Sequence, residues 1–216
     1  MEIFSHPLFA GMTPEETAQM QALHAFRERT FPRGAYILRS GDRTQALGLV
    51  RAGGVHIESC DVWGERSILS YIAPGQVFAE TYAVCGEAMM VDAVAAEDSE
   101  IVFLDLSVLL GAAQRAASWY PKLMQNLLCI TARKNLTLSS RIFCTTAKSV
   151  RGRLLTYLSA QAAQQCGCEF DIPFDRQQLA DYLNLDRSAL SKELGKMRDE
   201  GLLEVRKNHF RLHQPL

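Results

Sequence analysis

No stretch of this chain approaches the roughly 18 consecutive apolar residues that a membrane span requires. Its N-terminus also lacks the cationic start and apolar core of a secretory leader. A cytoplasmic protein with no membrane partner is therefore expected. Cysteine is sparse and unpatterned: the six, at positions 60, 85, 129, 144, 166 and 168, show no framework spacing. A reducing compartment would keep them as thiols. Cys166-Gly-Cys168 makes at most half a zinc site and closes no unstrained small-loop disulfide. Histidine is scarcer still, with only His56 between residues 31 and 106. That rules against a metal oxygenase on a β framework, which would need two or three His and a carboxylate there; no catalytic residue, metal or cofactor is expected. Excess charge of one sign is missing too. A net charge of −1 argues against indiscriminate nucleic-acid binding.

What is present begins with enough apolar material, 48% of 216 residues, for one large or two modest domains. The charge is also unevenly placed. From residue 145 onward there are 11 Lys and Arg against 9 Asp and Glu, whereas the remainder has 12 against 15. Within that more basic third, Asp175 to Arg211 carries the most explicit pattern. Asp175 precedes Leu179, Ala180 and Leu183, spaced as one buried helical face. Asn184 interrupts, and Asp186 offers a side-chain oxygen to cap a second helix. That helix places Leu190, Leu194 and Met197 on one face, with Arg187, Ser188, Ser191, Lys192, Lys196 and Arg198 largely on others. Gly201 ends it, and a hairpin follows from Leu202 to Leu212 with a polar tip at Arg206–Asn208. Helix, tight turn, basic helix and hairpin are the order of a winged helix-turn-helix. Such a basic helix fits a DNA major groove, about 12 Å wide.

Upstream, Thr13-Pro14-Glu15-Glu16 starts a helix with a capping box, and Met20, Leu23 and Phe26 make its buried stripe. From Phe31 to about Leu106 the period shortens. β-Branched and aromatic runs alternate with turns at Gly34, Gly41, Gly53-Gly54, Gly64, Gly75 and Gly86, the signature of an antiparallel sandwich or jelly roll. Between Ser118 and Phe143 a long helix is expected, since Pro121 stands at its opening and no glycine follows until Gly152. It carries two apolar rows, one of Tyr120, Leu123, Leu127 and Ile130, the other of Met124, Leu128, Leu138 and Ile142. So wide an arc would bury two surfaces, one on the β domain and one on a second copy, unless the helix is buried wholly within its own domain. Thr131 and Asn135 interrupt it as polar positions that fix register or meet a ligand. Ser149 caps a further helix, Val150–Ala162, which leaves Thr146–Lys148 as a hinge and residues 166–173 as a loop.

Asp186-Arg187-Ser188-Ala189-Leu190-Ser191-Lys192, followed by Glu200-Gly201-Leu202-Leu203, resembles the recognition helix and wing of the CRP/FNR family of bacterial transcription regulators. The likeness runs through most of the chain. Val150-Arg151-Gly152-Arg153-Leu154 matches the family, and FPRGAYILRSGD, LGLVRAGGVHIE and IAPGQVFAE are similar to its cyclic-nucleotide-binding-type β-roll. The fold implied is α+β: a sensor β-roll over 1–117, a dimerisation helix over 118–145 and a winged helix-turn-helix domain over 146–216.

The resemblance places Arg187, Ser188 and Lys192 where family members read bases. Arg187 can donate two hydrogen bonds to guanine O6 and N7. Ser188 departs from the family's common glutamate, and Lys192 from its frequent arginine, so an altered operator is expected. Ser191 shares this face, while Arg176, Lys196 and Lys207 suit phosphate contacts. The expected partners are double-stranded DNA with an inverted repeat, a second copy meeting along Leu123, Leu127, Ile130, Lys134 and Leu138, and RNA polymerase. Cyclic-AMP-binding members follow their pocket glutamate with an arginine–serine pair ten residues on. Here Glu80 is followed at that distance by Met90-Val91, and Leu138-Ser139 stands where those members place threonine–serine. Cyclic AMP is therefore not the expected effector. Phe78, Glu80, Thr81, Tyr82, Val84, Met89, Met90, Leu138 and Ser139 would line a pocket for a more apolar small molecule, or the roll residues would simply fill its core. Effector-independent binding stays open, as does a haem-based gas or redox sensor using His56, Cys85 or the N-terminal segment.

Overall fold

The computed structural model describes residues 3–60 and 66–213, so the expected turn at Gly64 lies outside the described residues. The chain divides into two compact units, residues 1–132 and 133–216. One long helix, α4 (Tyr120–Thr146), contributes to both.

The first unit opens with two short 3-10 turns and α1 (Pro14–Ala22). Thr13 and Glu16 form the reciprocal capping box expected, and Pro14 occupies the first turn. The helix is shorter than its apolar stripe suggested. Leu23 is its C-cap and His24 takes a left-handed φ of 53°, so Phe26 starts strand β1 (Phe26–Phe31) instead of closing the helix. The strands β2 (Tyr36–Leu38), β3 (Ala46–Ala52), β4 (Val55–Cys60), β5 (Arg66–Ile72), β6 (Val77–Phe78), β7 (Asp92–Ala95) and β8 (Ser99–Asp105) complete two antiparallel sheets. Their orders are β1-β8-β3-β6 and β2-β7-β4-β5. Two short helices escaped the sequence reading, α2 (Glu80–Cys85) and α3 (Leu106–Leu109).

Alternation along β3 and β8 explains how the first sheet is buried on both faces. Val50 and Ile101 point into the space between the sheets, with Ile37, Val55, Phe78 and Ala93. Leu47, Leu49, Val102 and Leu104 point the other way, onto Leu8, Phe9, Met20, Trp119, Leu123 and Leu127. Successive side chains of a strand face opposite sides, so a strand covered on both faces reads as an unbroken apolar run. The start of α4 is pinned on that second face by polar ties as well. Lys122 Nζ lies 2.7 Å from Glu16 Oε2, and Asn126 Nδ2 donates to the Leu8 and Ala10 carbonyls at 3.0 Å each. The lysine beside Glu16, with the Thr13 backbone N–H, holds its carboxyl down at about 2.

The second unit contains the end of α4, then α5 (Val150–Gln164), strand β9 (Glu169–Asp171), α6 (Arg176–Leu183), α7 (Arg187–Asp199), and the hairpin β10 (Leu203–Arg206) and β11 (His209–Leu212). Strand β9 falls where the sequence suggested only a loop. It pairs with β11 through Phe170↔Phe210, giving a three-stranded sheet ordered β10-β11-β9. Cys144, Leu154, Tyr157, Leu158, Leu179, Leu190, Leu194 and Phe210 form one core there. Thr146–Lys148, expected as the hinge between domains, lies wholly inside this unit. The Ala147 carbonyl is fixed by Arg153 Nε at 2.8 Å, and Ser149 caps α5 at Gly152 N.

Candidate nucleic-acid interface

Helix α6 begins at a second reciprocal capping box. Asp175 Oδ1 accepts from Gln178 N at 2.8 Å, and Gln178 Oε1 accepts from Asp175 N at 2.9 Å. It ends at Asn184, whose left-handed φ of 51° turns the chain sharply and returns the Asn184 N–H to the Ala180 and Asp181 carbonyls. Asparagine tolerates that conformation better than most residues. Two residues later Asp186 caps α7, accepting from Ser188 N at 2.9 Å and Ala189 N at 3.0 Å. The Ser188 hydroxyl also donates to Asp186 Oδ1. That bond, followed by the Ala189 N–H, holds the Asp186 carboxyl below its usual range.

Helix α7 is amphipathic as its spacing implied. Leu190, Leu194 and Met197 are buried, each contributing about 1.5–3 kcal/mol of transfer free energy. Their burial fixes the opposite face outward, where Arg187, Ser188, Ser191, Lys192 and Lys196 are all exposed. The helix is braced against α5 by Arg151. Its Nε donates to Glu193 Oε1 at 2.7 Å and its Nη2 to Glu200 Oε1 at 2.6 Å. These two carboxylates raise the already high pKa of the Arg151 guanidinium. Glu193 of α7 and its C-cap Glu200 thus face α5, whereas Asp199 pairs with Arg198. Lys196 is 3.8 Å from Glu193.

The remaining nominated cations differ in setting. Lys207 is exposed at the hairpin tip with a φ of 56°. Arg176 is half-buried, its guanidinium carbon 5.3 Å from the Phe210 ring centroid. Its Nη1 is buried without a hydrogen-bond partner, and burial lowers its pKa. It packs onto the wing more than it reaches outward.

The residues nominated for an effector pocket differ in setting. Phe78 and Met89 are buried at 2% and 3% exposure, and Phe78 packs over Gly48, where an added Cβ would fall 2.3 Å from its ring. Glu80 is buried at the start of α2, just after Ala79 with its φ of 61°. Tyr82 is half-buried, whereas Thr81, Val84 and Met90 are exposed, Met90 at 80%. Leu138 and Ser139 belong to the second unit and are exposed. From Glu80 to Val91 the sequence has no Lys or Arg. Arg43 reaches this stretch, and its guanidinium donates to the Gly86 carbonyl.

Two of the five nominated dimer-face residues need correction. Leu123 and Leu127 are 0% and 5% exposed within the first unit's own core, and Ile130 packs against it. A side chain so enclosed has no surface left for a second copy. Lys134 is half-buried, and Leu138 alone of the five is exposed. The outward row is the neighbouring one: Met124, Leu128, Leu138 and Ile142 are 40%, 68%, 60% and 66% exposed. With Thr131 and Asn135 they recur at alternating spacings of four and three. Among the described residues no group of three or more His, Cys, Asp or Glu is placed to hold a metal ion, and no helix is long and apolar enough to cross a membrane.

Comparison with known proteins accounts for both units. The cyclic nucleotide-binding domain family matches residues 28–116, and the Crp-like helix-turn-helix domain family matches residues 152–215. The Cyclic AMP receptor protein of Thermus thermophilus is 29% identical over 199 residues, 92% of this chain and 88% of its own. Transcriptional activator protein FnrA of Stutzerimonas stutzeri is 26% identical over 200 residues, 86% of this chain and 76% of its own. A solved structure of CprK complexed with OCPA, 14% identical, aligns with a TM-score of 0.69 over 93% of this chain and 90% of its own. That last likeness concerns the fold alone. A cyclic-nucleotide-binding-type roll joined to a winged helix-turn-helix defines a DNA-binding transcription regulator. The chain belongs to the CRP/FNR family of such regulators.

Proposed function

We propose that the protein binds an inverted-repeat operator as a homodimer and is controlled by a small effector other than cyclic AMP. One observation carries the DNA-reading half: α7 is capped, backed by core and braced so that Arg187, Ser188, Ser191, Lys192 and Lys196 all stand on its free face. The N-terminal residues of a recognition helix reach base edges, so Arg187 and Ser188 read sequence, Lys192 reads or clamps, and Lys196 and Lys207 hold phosphate. Half-sites about 34 Å apart on one face of the duplex follow from two-fold symmetry. The exposed row Met124, Leu128, Leu138, Ile142 supports a parallel pairing of α4 with its copy, with Thr131 and Asn135 setting register.

Against cyclic AMP stands the lack of a cation between Glu80 and Val91. A buried phosphate would lose its hydration with no cation of that segment to pair it, and Arg43, which reaches the segment, already donates to the Gly86 carbonyl. Phe78 favours a second reading, effector-independent binding, because its ring is already committed to the core over Gly48.

Arg187→Ala tests the central claim. On the duplex enriched from a random pool by the wild-type protein, affinity should fall by about 10- to 100-fold, the discrimination of one bidentate base contact. Binding to unrelated DNA should persist and remain salt-sensitive. An equal loss on every sequence would make Arg187 a phosphate contact and overturn its assignment.

A further inference from the structure

Two arginines from different helices hold the same helix end. Arg141 of α4 donates from Nε to the Tyr182 carbonyl and from Nη2 to the Asp181 carbonyl, both at 3.1 Å, with Asn184 Oδ1 at 3.4 Å from Nη2. Its guanidinium carbon also lies 5.6 Å from the Tyr182 ring centroid. Arg153 of α5 donates from Nη1 to the Leu183 and Asn184 carbonyls at 3.0 and 2.8 Å. The last carbonyls of a helix lack intrahelical partners and carry partial negative charge, so both contacts are favourable. Capping alone does not require both. Asn184 already closes α6 through its own N–H, and Leu185 N returns to the Ala180 carbonyl at 2.9 Å. What Arg141 adds is a tie to α4.

That tie has short arms at each end. Only Leu185 and Asp186 separate Asn184 from Arg187, the first residue of α7. On α4, Arg141 is adjacent to Ile142 and three residues from Leu138, both in the exposed row that would meet a second copy. A planar guanidinium with several donors fixes orientation as well as distance, which a lysine does not.

We propose that Arg141 is a positioning residue: it fixes the start of α7 relative to the dimer seam on α4, and so sets which half-site spacing the dimer accepts. This rests on the dimeric DNA-binding reading above. The two ideas fail separately, because sedimentation of the wild-type chain on and off DNA reports the dimer before any variant is made. A monomer bound to a single half-site would overturn that reading.

The test uses the full chain and three duplexes: the inverted repeat enriched by the wild-type protein, the same repeat with two base pairs inserted at its centre, and one isolated half-site. The insertion should weaken the wild-type protein by about tenfold or more, since it rotates one half-site around the helix axis. Arg141→Gln should lose less than about threefold on the insertion, with half-site affinity unchanged and melting temperature lowered less than by Arg153→Gln. Arg153→Gln, acting on the same helix end from α5, should lower half-site affinity and melting temperature yet keep the wild-type spacing penalty. Arg141→Lys should give an intermediate penalty, and it carries the comparison if the glutamine variant does not fold. A full wild-type spacing penalty in the Arg141 variants would overturn the proposal. So would parallel losses of stability, half-site and full-site binding.

Discussion

Lys207 sits at the wing tip with a φ of 56°, a conformation that costs a non-glycine residue roughly 1–2 kcal/mol. It is also one of the cations nominated for phosphate. Stability and function therefore pull in opposite directions at this residue. Lys207→Gly should raise the midpoint of thermal unfolding by relieving up to about 1 kcal/mol, part of the gain being offset by glycine's freedom when unfolded. The same change should weaken binding to all DNA sequences and reduce the salt slope by about one charge. A gain in stability with no change in salt slope would remove Lys207 from the interface. At this scale the sequence was most readable where a contact is local. The caps at Thr13, Ser149, Asp175 and Asp186 each join residues two or three apart, and all four form as their residue types imply. Arg141 was invisible for the opposite reason: its acceptors lie 40 and 41 residues away, and nothing in its neighbourhood announces them.

Among the elements, β9 repays comparison with the helices around it. Three residues are too few to show a period, so Glu169–Asp171 read as loop until β11 supplied its partner. The long helix and the recognition helix, with apolar faces repeating over several turns, were legible almost to their ends. Which of the two apolar rows of α4 faces inward was not, because both carry similar side chains. Only Trp119, Asn126 and the Lys122–Glu16 pair, converging on one side, settle it. The short strand also brings a titratable tie. His209 Nδ1 lies 3.0 Å from Asp171 Oδ1 and its Nε2 3.2 Å from Glu169 Oε1. Asp171, then Glu169, raise its pKa above 6.5. A group whose folded pKa is raised contributes fully below its unfolded value, and the contribution fades as pH rises through the folded one. The β9–β11 pairing should therefore lose amide protection as pH climbs above 6.5, and His209→Gln should flatten that dependence. A variant that differs from wild type by the same amount at every pH would disprove the role of protonation.

For the molecule as a whole, the proposed dimer turns on α4. Leu128 and Leu138, 68% and 60% exposed, contribute little to the core of a single copy. Replacing both by glutamate should leave each chain folded, by circular dichroism and melting, while sedimentation shows monomers. Operator affinity should then drop to that of one half-site. Persisting dimers would move the interface elsewhere. The order of roll, long helix and winged domain followed from changes of period along the chain, and its family from motifs that span both units. The roll's interior did not follow, since a list of apolar side chains is equally a pocket lining and a filled core.

The pairing of Gly48 with Phe78 constrains how this roll can change over generations. A Cβ at position 48 would meet the ring at 2.3 Å, with backbone strands on either side. Substitutions at the two sites must therefore come in order: position 78 has to shrink before position 48 can grow. A descendant that acquired a roomier interior would pass first through a chain with a void between its sheets. Such an intermediate would be less stable by about 3–5 kcal/mol, the usual loss when a buried phenylalanine is cut to alanine. Any new chemical sensitivity would have to be useful enough to carry the lineage across that step.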